Sequence, residues 1–155
     1  NTSSALVCGG VSQGIEPIVA NVYNQLTSAG EINRTNPVFM EFAKGKGKWN
    51  EELVKDIIDN DGSVQHLDWL TDDERMVFRT AYEVDQKAII RLAAARQEYI
   101  DQAQSINLFF DADEDEAYIS EVHKEAFLNP HIKSLYYMRT KAGVNASKDC
   151  IACEG

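Results

Sequence analysis

A chain of 155 residues with 44% apolar side chains and a net charge of −10 has the length of one domain and enough apolar material for a core. The charge argues against broad nucleic-acid binding through phosphates, and no apolar run approaches the roughly 18 residues of a transmembrane helix. Three cysteines do not form a secreted disulfide framework, and the start lacks both an initiator Met and signal-peptide character, so the expectation is a processed, truncated or partial chain in a reducing cytoplasm.

Thr2, Ser3 and Ser4 precede the apolar Leu6-Val7-Cys8, and Gly9-Gly10 follow. This predicts a short capped helix, whose free N–H groups and hydroxyls serve as an ordinary cap or as an anion site. Gly14 and Pro17 mark a loop. Ile18 to Leu26 fits a helix or an extended segment equally well. Asn36-Pro37 reads as an N-cap followed by Pro at the first helical position, with Phe39, Met40, Phe42 and Ala43 on the apolar side. Lys44-Gly45-Lys46-Gly47-Lys48 breaks that helix. Asn50 caps the next one, with Leu53 and Ile57 buried, and Asp61-Gly62 ends it. Val64 to Leu70 connects.

Thr71-Asp72-Asp73-Glu74 is a capping box. Val77, Ala81, Val84, Ala88, Leu92 and Ala95 then recur at helical steps, which predicts one helix to about residue 100, roughly 45 Å long. A rod of that length implies neighbours on another chain. Ser105 to Phe110 reads as a buried strand. Asp111 or Asp113 caps a helix carrying Tyr118, Ile119, Val122, Ala126 and Phe127, and Asn129-Pro130 stops it. Ile132 to Met138 is a second strand-like run, so the three elements form a βαβ unit with parallel strands. Beyond Arg139 the composition turns polar without periodicity, which predicts a mobile tail.

Two features carry chemistry. Tyr136 and Tyr137 are adjacent phenols, either packing or interface residues or a conduit for an electron. An ordinary phenol pKa is about 10, so at neutral pH an electron must leave together with its proton. Adjacent side chains of a regular strand point to opposite faces, so contact between these rings needs a local departure from strand geometry. Cys150 and Cys153 form a C-x-x-C pair that reads as a redox dithiol, a metal site or uncommitted thiols. A zinc site needs about four ligands, and His66, His123 and His131 show no paired spacing. Cys8 is isolated. No Ser-His-Asp arrangement, carboxylate pair or Gly-rich nucleotide fingerprint can be argued.

Several stretches together resemble one family. They are Asn1-Thr2-Ser3-Ser4, Gly14-Ile15-Glu16-Pro17, Asn21-Val22-Tyr23, Leu26-Thr27-Ser28-Ala29-Gly30, Asn60-Asp61-Gly62-Ser63-Val64-Gln65, Gln104-Ser105-Ile106-Asn107, Leu135-Tyr136-Tyr137-Met138-Arg139 and Cys150-Ile151-Ala152-Cys153. In this order they resemble the C-terminal part of the large, catalytic subunit of class I ribonucleotide reductase. The resemblance implies an α/β fold, the helix-rich C-terminal portion of a ten-stranded barrel completed by another chain, over residues 1–140. Residues 141–155 would be a redox-active tail. The family's nucleotide-sensing region, thiyl-radical cysteine motif and substrate-reducing cysteine pair have no counterpart here. The expectation is therefore the C-terminal piece of a split, phage-type large subunit or a fragment of an intact one.

By the same resemblance, Asn1, Thr2 and Ser3 belong to the loop holding the substrate diphosphate. Tyr136 and Tyr137 relay a radical, and Cys150 and Cys153 re-reduce the active-site disulfide. The chain would bind no metal or cofactor of its own. Its partners would be the N-terminal piece of the large subunit, the metal-containing small subunit that supplies the radical, thioredoxin or glutaredoxin as reductant, and a ribonucleoside diphosphate. No membrane or direct nucleic-acid partner is expected, and the location would be the cytoplasm, that of the host for a phage protein. The alternative is a non-catalytic acidic helical adaptor, docking through the long helix and sensing metal or redox state through its C-x-x-C tail.

Overall fold

The computed structural model describes residues 14–27 and 30–141, which fall into two compact units. The first comprises residues 17–81; the second comprises residues 14–16 and 82–141.

In the first unit, the stretch that periodicity left open is a hairpin. Strands β1 (Val22–Thr27) and β2 (Gly30–Thr35) pair antiparallel, from Val22 opposite Thr35 to Thr27 opposite Gly30. Its open end is tied by two asparagines. The Asn36 N–H donates to the Asn21 carbonyl at 2.7 Å and the Asn36 amide to Asn21 Oδ1 at 3.1 Å. The fully buried Asn21 amide then donates to the Phe78 carbonyl at 2.9 Å, so its polar atoms are satisfied away from water.

Helix α1 (Pro37–Gly45) starts where Asn36 Oδ1 accepts the Val38 N–H, with Pro37 at the first position. Helix α2 (Glu51–Asp59) starts where Asn50 Oδ1 accepts the Leu53 N–H at 2.7 Å. Phe39, Ala43, Ile57 and Val64 form a dry core with Leu67, Leu70 and Phe78. Phe39 and Phe78 meet edge to face, 5.1 Å between ring centres.

Helix α3 (Asp72–Val77) begins with the capping box in place: Thr71 Oγ1 accepts the Glu74 N–H and the Glu74 carboxylate accepts the Thr71 N–H. The rod predicted from this point to about residue 100 does not form. Helix α3 stops at Val77, and helix α4 (Gln86–Gln97) starts anew with the Asp85 side chain accepting the Lys87 N–H. Two competing demands break it. Phe78, Thr80 and Ala81 are buried, and the Ala81 N–H donates to the Ile18 carbonyl at 2.8 Å instead of to the preceding helical turn. Asp85 supplies a second cap. The predicted apolar stripe was only partly the buried face: Ala81 is buried and Val84 packs on the core of the second unit. Val77 and Leu92 are exposed, whereas Ile89, Ile90 and Ala93 are buried. The case for a partner chain built on a long rod falls with the rod.

The second unit is a β-α-β arrangement with α4 packed on it. Strand β3 (Leu108–Phe110) pairs parallel with β4 (Met138–Thr140), Leu108 opposite Met138, and helix α5 (Glu116–Leu128) makes the crossover. Asp115, not Asp111 or Asp113, caps α5, its carboxylate accepting the Ala117 N–H at 3.0 Å. All three residues of β3 are buried, as befits a parallel strand covered on both faces. Ile90, Ile106, Leu108, Phe110, Val122 and Ala126 form the core, and Lys87–Glu121 and Arg91–Glu125 pairs bridge α4 and α5. Among the described residues β1–β2 and β3–β4 are separate two-stranded sheets and neither closes, the state of a partial α/β barrel.

Gln86 joins these elements. Buried to 2% exposure, it accepts the Phe109 N–H of β3 at 2.9 Å and donates to the Val84 carbonyl at 2.8 Å. Replacing it by Leu leaves a strand N–H unpaired in a dry interior. We expect Gln86→Leu to cost about 1–3 kcal/mol, read as a lower denaturant midpoint at unchanged slope.

Candidate functional site

After α5, the Ile132 N–H donates to the Asn129 carbonyl and the chain turns back toward β3. Ile132 and Leu135 pack against the core of this unit and carry the chain alongside Ile106. There the Tyr136 N–H donates to the Ile106 carbonyl at 2.8 Å and the Leu108 N–H to the Tyr137 carbonyl at 2.9 Å. These bonds register the segment before regular strand begins at Met138. In that irregular approach the alternation of faces is lost. The rings of Tyr136 and Tyr137 lie together, 4.1 Å between centres and 50° between planes. Their exposures of 60% and 46% leave both phenols within reach of solvent or a partner.

The pair is electrostatically linked. A hydrogen bond to Tyr137, the charge Tyr137 can carry and a small loss of hydration raise the Tyr136 pKa above its ordinary value, and Arg139 opposes the rise. Tyr136 is thus a neutral phenol at physiological pH. Arg139 places its guanidinium 5.1 Å from the centre of the Tyr137 ring. A third phenol, Tyr82, packs edge to face on Phe109 at 5.3 Å. Burial raises its pKa, Arg139 lowers it and Asp111 raises it. Lys141 sits 5.4 Å from the Tyr82 ring and pairs with Asp111 at 2.9 Å. Two neutral phenols in ring contact are placed to exchange a proton and an electron over one short step.

Of the residues predicted from the sequence, Tyr136 and Tyr137 are brought together. Asn1, Thr2, Ser3, Cys150 and Cys153 lie outside the described residues, as does Cys8. Sequence reasoning did not single out Arg139 or Tyr82. Arg139 could have been found, because it stands two residues past Tyr137, the spacing that returns to one face of a strand. Nothing local pointed to Tyr82, which reaches β3 through the tertiary fold. Among the described residues no group of three or more His, Cys, Asp or Glu side chains could hold a metal ion, and no helix is long and apolar enough to cross a membrane. His66 pairs with Asp56 at 2.8 Å; His123 donates from Nδ1 to the Ile119 carbonyl and stacks on Phe110.

Fold and site define a portion of an α/β barrel, with a phenol pair at the entrance to one of its parallel strands. Residues 1–138 match the family model described as the ribonucleotide reductase barrel domain. The whole chain is 36% identical to the ribonucleoside-diphosphate reductase large subunit of Invertebrate iridescent virus 3, and 93% of it is 33% identical to the large subunit of Danio rerio. It spans only 27% and 18% of those two proteins. The solved class Id ribonucleotide reductase alpha subunit of Actinobacillus ureae superposes on 90% of the chain with a TM-score of 0.74 at 34% identity, the match covering 25% of that subunit. This chain belongs to the ribonucleotide reductase barrel-domain family.

Proposed function

We propose that this chain supplies the C-terminal portion of the large subunit of a ribonucleoside-diphosphate reductase, which reduces ribonucleoside diphosphates to 2′-deoxyribonucleoside diphosphates. The observation that carries the reading is the phenol pair. In a chain whose family does radical chemistry, two tyrosines sit in ring contact. In the relay step, an oxyl radical on one tyrosine takes the proton and the electron from the other phenol. The first becomes a phenol again and the second becomes the radical. Atoms and charge balance, and neither ring moves.

The other roles follow the resemblance. Asn1, Thr2 and Ser3 hold the substrate diphosphate with N–H groups and hydroxyls. Cys150 and Cys153 form the dithiol of a tail at residues 141–155, behind one domain at 1–140. The two thiols give two electrons and two protons to a disulfide and become a disulfide themselves, which thioredoxin or glutaredoxin reduces. The partners are the remaining N-terminal part of the large subunit, the radical-supplying small subunit, the reductant protein and the nucleotide, in the cytoplasm. The adaptor alternative loses the long helix it was to dock through.

The test is reconstitution. Mixed with the remaining part of the large subunit and the small subunit, the chain is expected to co-elute and to restore deoxyribonucleotide formation. A folded chain that ignores both would refute the reading. In the assembled enzyme, Cys150→Ser is expected to stop repeated turnover with thioredoxin while sparing a single reductive cycle. Undiminished repeated turnover would remove the tail dithiol from the scheme.

A further inference from the structure

Two groups lie close to the Tyr137 ring. The Tyr136 ring lies 4.1 Å from it, and the Arg139 guanidinium lies 5.1 Å from its centre. Arg139 is held in place by β4, where it stands opposite the buried Phe109. We infer that Arg139 is a positioning residue for the phenol pair: it holds the Tyr137 ring against Tyr136 and requires an electron leaving the pair to leave with its proton. The inference rests on the relay reading above and deepens it.

The physical argument concerns charge. A phenol that loses an electron but keeps its proton becomes a radical cation. A guanidinium against the same ring repels that species, and at this distance in a half-exposed site the repulsion is only partly screened. When proton and electron cross together from one oxygen to the other, the pair keeps its net charge and the guanidinium does not oppose the step. Arg139 therefore penalises the uncoupled route and leaves the coupled one untouched. Its planar, permanently charged group also suits the task, because it can lie over an aromatic face in a way a lysine ammonium cannot reproduce. Among the described residues, Tyr82, on which Arg139 and Asp111 act in opposite senses, and Lys141, which pairs with Asp111 at 2.9 Å, are further ionisable groups of this neighbourhood. Arg139 is the cation that acts on both Tyr136 and Tyr82.

The test uses the full chain and two variants, Arg139→Gln and Arg139→Lys, each also in a Tyr82→Phe background. Near-ultraviolet circular dichroism reads the coupling of the two rings, and a spectrophotometric titration reads their ionisation. Arg139→Gln is expected to weaken the ring signal and to move phenol ionisation to higher pH, since a cation that lowers the Tyr136 pKa has gone. Arg139→Lys is expected to restore the titration but only part of the ring signal. In the assembled enzyme, Arg139→Gln is expected to lower kcat roughly tenfold at unchanged KM. An unchanged ring signal and titration in Arg139→Gln would overturn the inference whether or not the assembly reduces nucleotides. Altered optical signals with full kcat would also overturn it. A parent assembly that makes no deoxyribonucleotide sinks the functional reading, and this inference falls with it.

Discussion

Replacing either Tyr136 or Tyr137 by Phe is expected to reduce nucleotide reduction by the assembled enzyme to background while the chain stays folded. Phe keeps the ring and its packing but has no hydroxyl. It cannot give up a proton with the electron, and one-electron oxidation of the bare ring yields a cation beside Arg139. A loss of at least about a thousandfold corresponds to roughly 4 kcal/mol of added barrier. Stability gives the contrast. Both side chains are largely exposed, at 60% and 46%, and each variant removes one hydroxyl from a site open to water. The expected change in folding free energy is within about 0.5 kcal/mol. The check is deoxyribonucleotide formation beside a melting curve. Either variant retaining more than about a tenth of the parent rate would remove that tyrosine from the relay.

The second large effect is structural. Gly62→Ala is expected to destabilise the first unit by about 2–5 kcal/mol, a large share of the roughly 5–15 kcal/mol that holds a typical domain together. Gly62 has φ of +76°, following Asp61 at +55°, so the chain leaves α2 through two left-handed residues. A Cβ built there would lie 2.2 Å from the Ala20 Cβ and 2.9 Å from both the Ala20 Cα and the Val22 carbonyl oxygen. Two of those three atoms are backbone and the third sits directly on it, and the Asn21 N–H is bonded to the Gly62 carbonyl at 2.9 Å. The obstructing segment is therefore anchored to the residue that would push it away. Gly45→Ala is the control. It ends α1 with nothing within 4 Å of its added Cβ, and it should be neutral or stabilising by up to about 1 kcal/mol. Chemical denaturation of the two variants side by side separates strain at one position from a general effect of losing glycine. A cost below about 1 kcal/mol at position 62 would mean that the turn can relocate.

The elements that were legible in the sequence are those whose bonding is local. Asn36-Pro37, Asn50 and Thr71 through Glu74 each carry a cap whose side-chain oxygen accepts an N–H within three residues, and all three helices begin where those residues stand. The order and parallel pairing of the β-α-β unit were legible for a related reason: a helix of ordinary length between two short apolar runs leaves the strands few choices but to lie parallel, although the second strand, expected over 132–138, starts only at Met138. The helix predicted from 71 to 100 failed because periodicity counts apolar residues without knowing which will be buried. Phe78 and Ala81 served a core and a hydrogen bond to Ile18, and Ile89 and Ile90 displaced Leu92 from the inner face. The hairpin at 22–35 was undecidable, since the apolar spacing of Ile18, Val22 and Leu26 suits a helix as well as a strand and does not report the bonding between strands that settles it.

The sequence by itself determined the family, the capped starts of α1, α2 and α3 and the presence of two neighbouring phenols. Only the tertiary structure decided that the phenols touch, because two backbone hydrogen bonds to Ile106 and Leu108 hold their segment out of regular strand geometry, which would have turned the rings apart. It also decided that Arg139 lies against one of them. Covalent order sets which groups are near in sequence, but a ring contact of 4.1 Å depends on the backbone torsions imposed by the neighbouring strand.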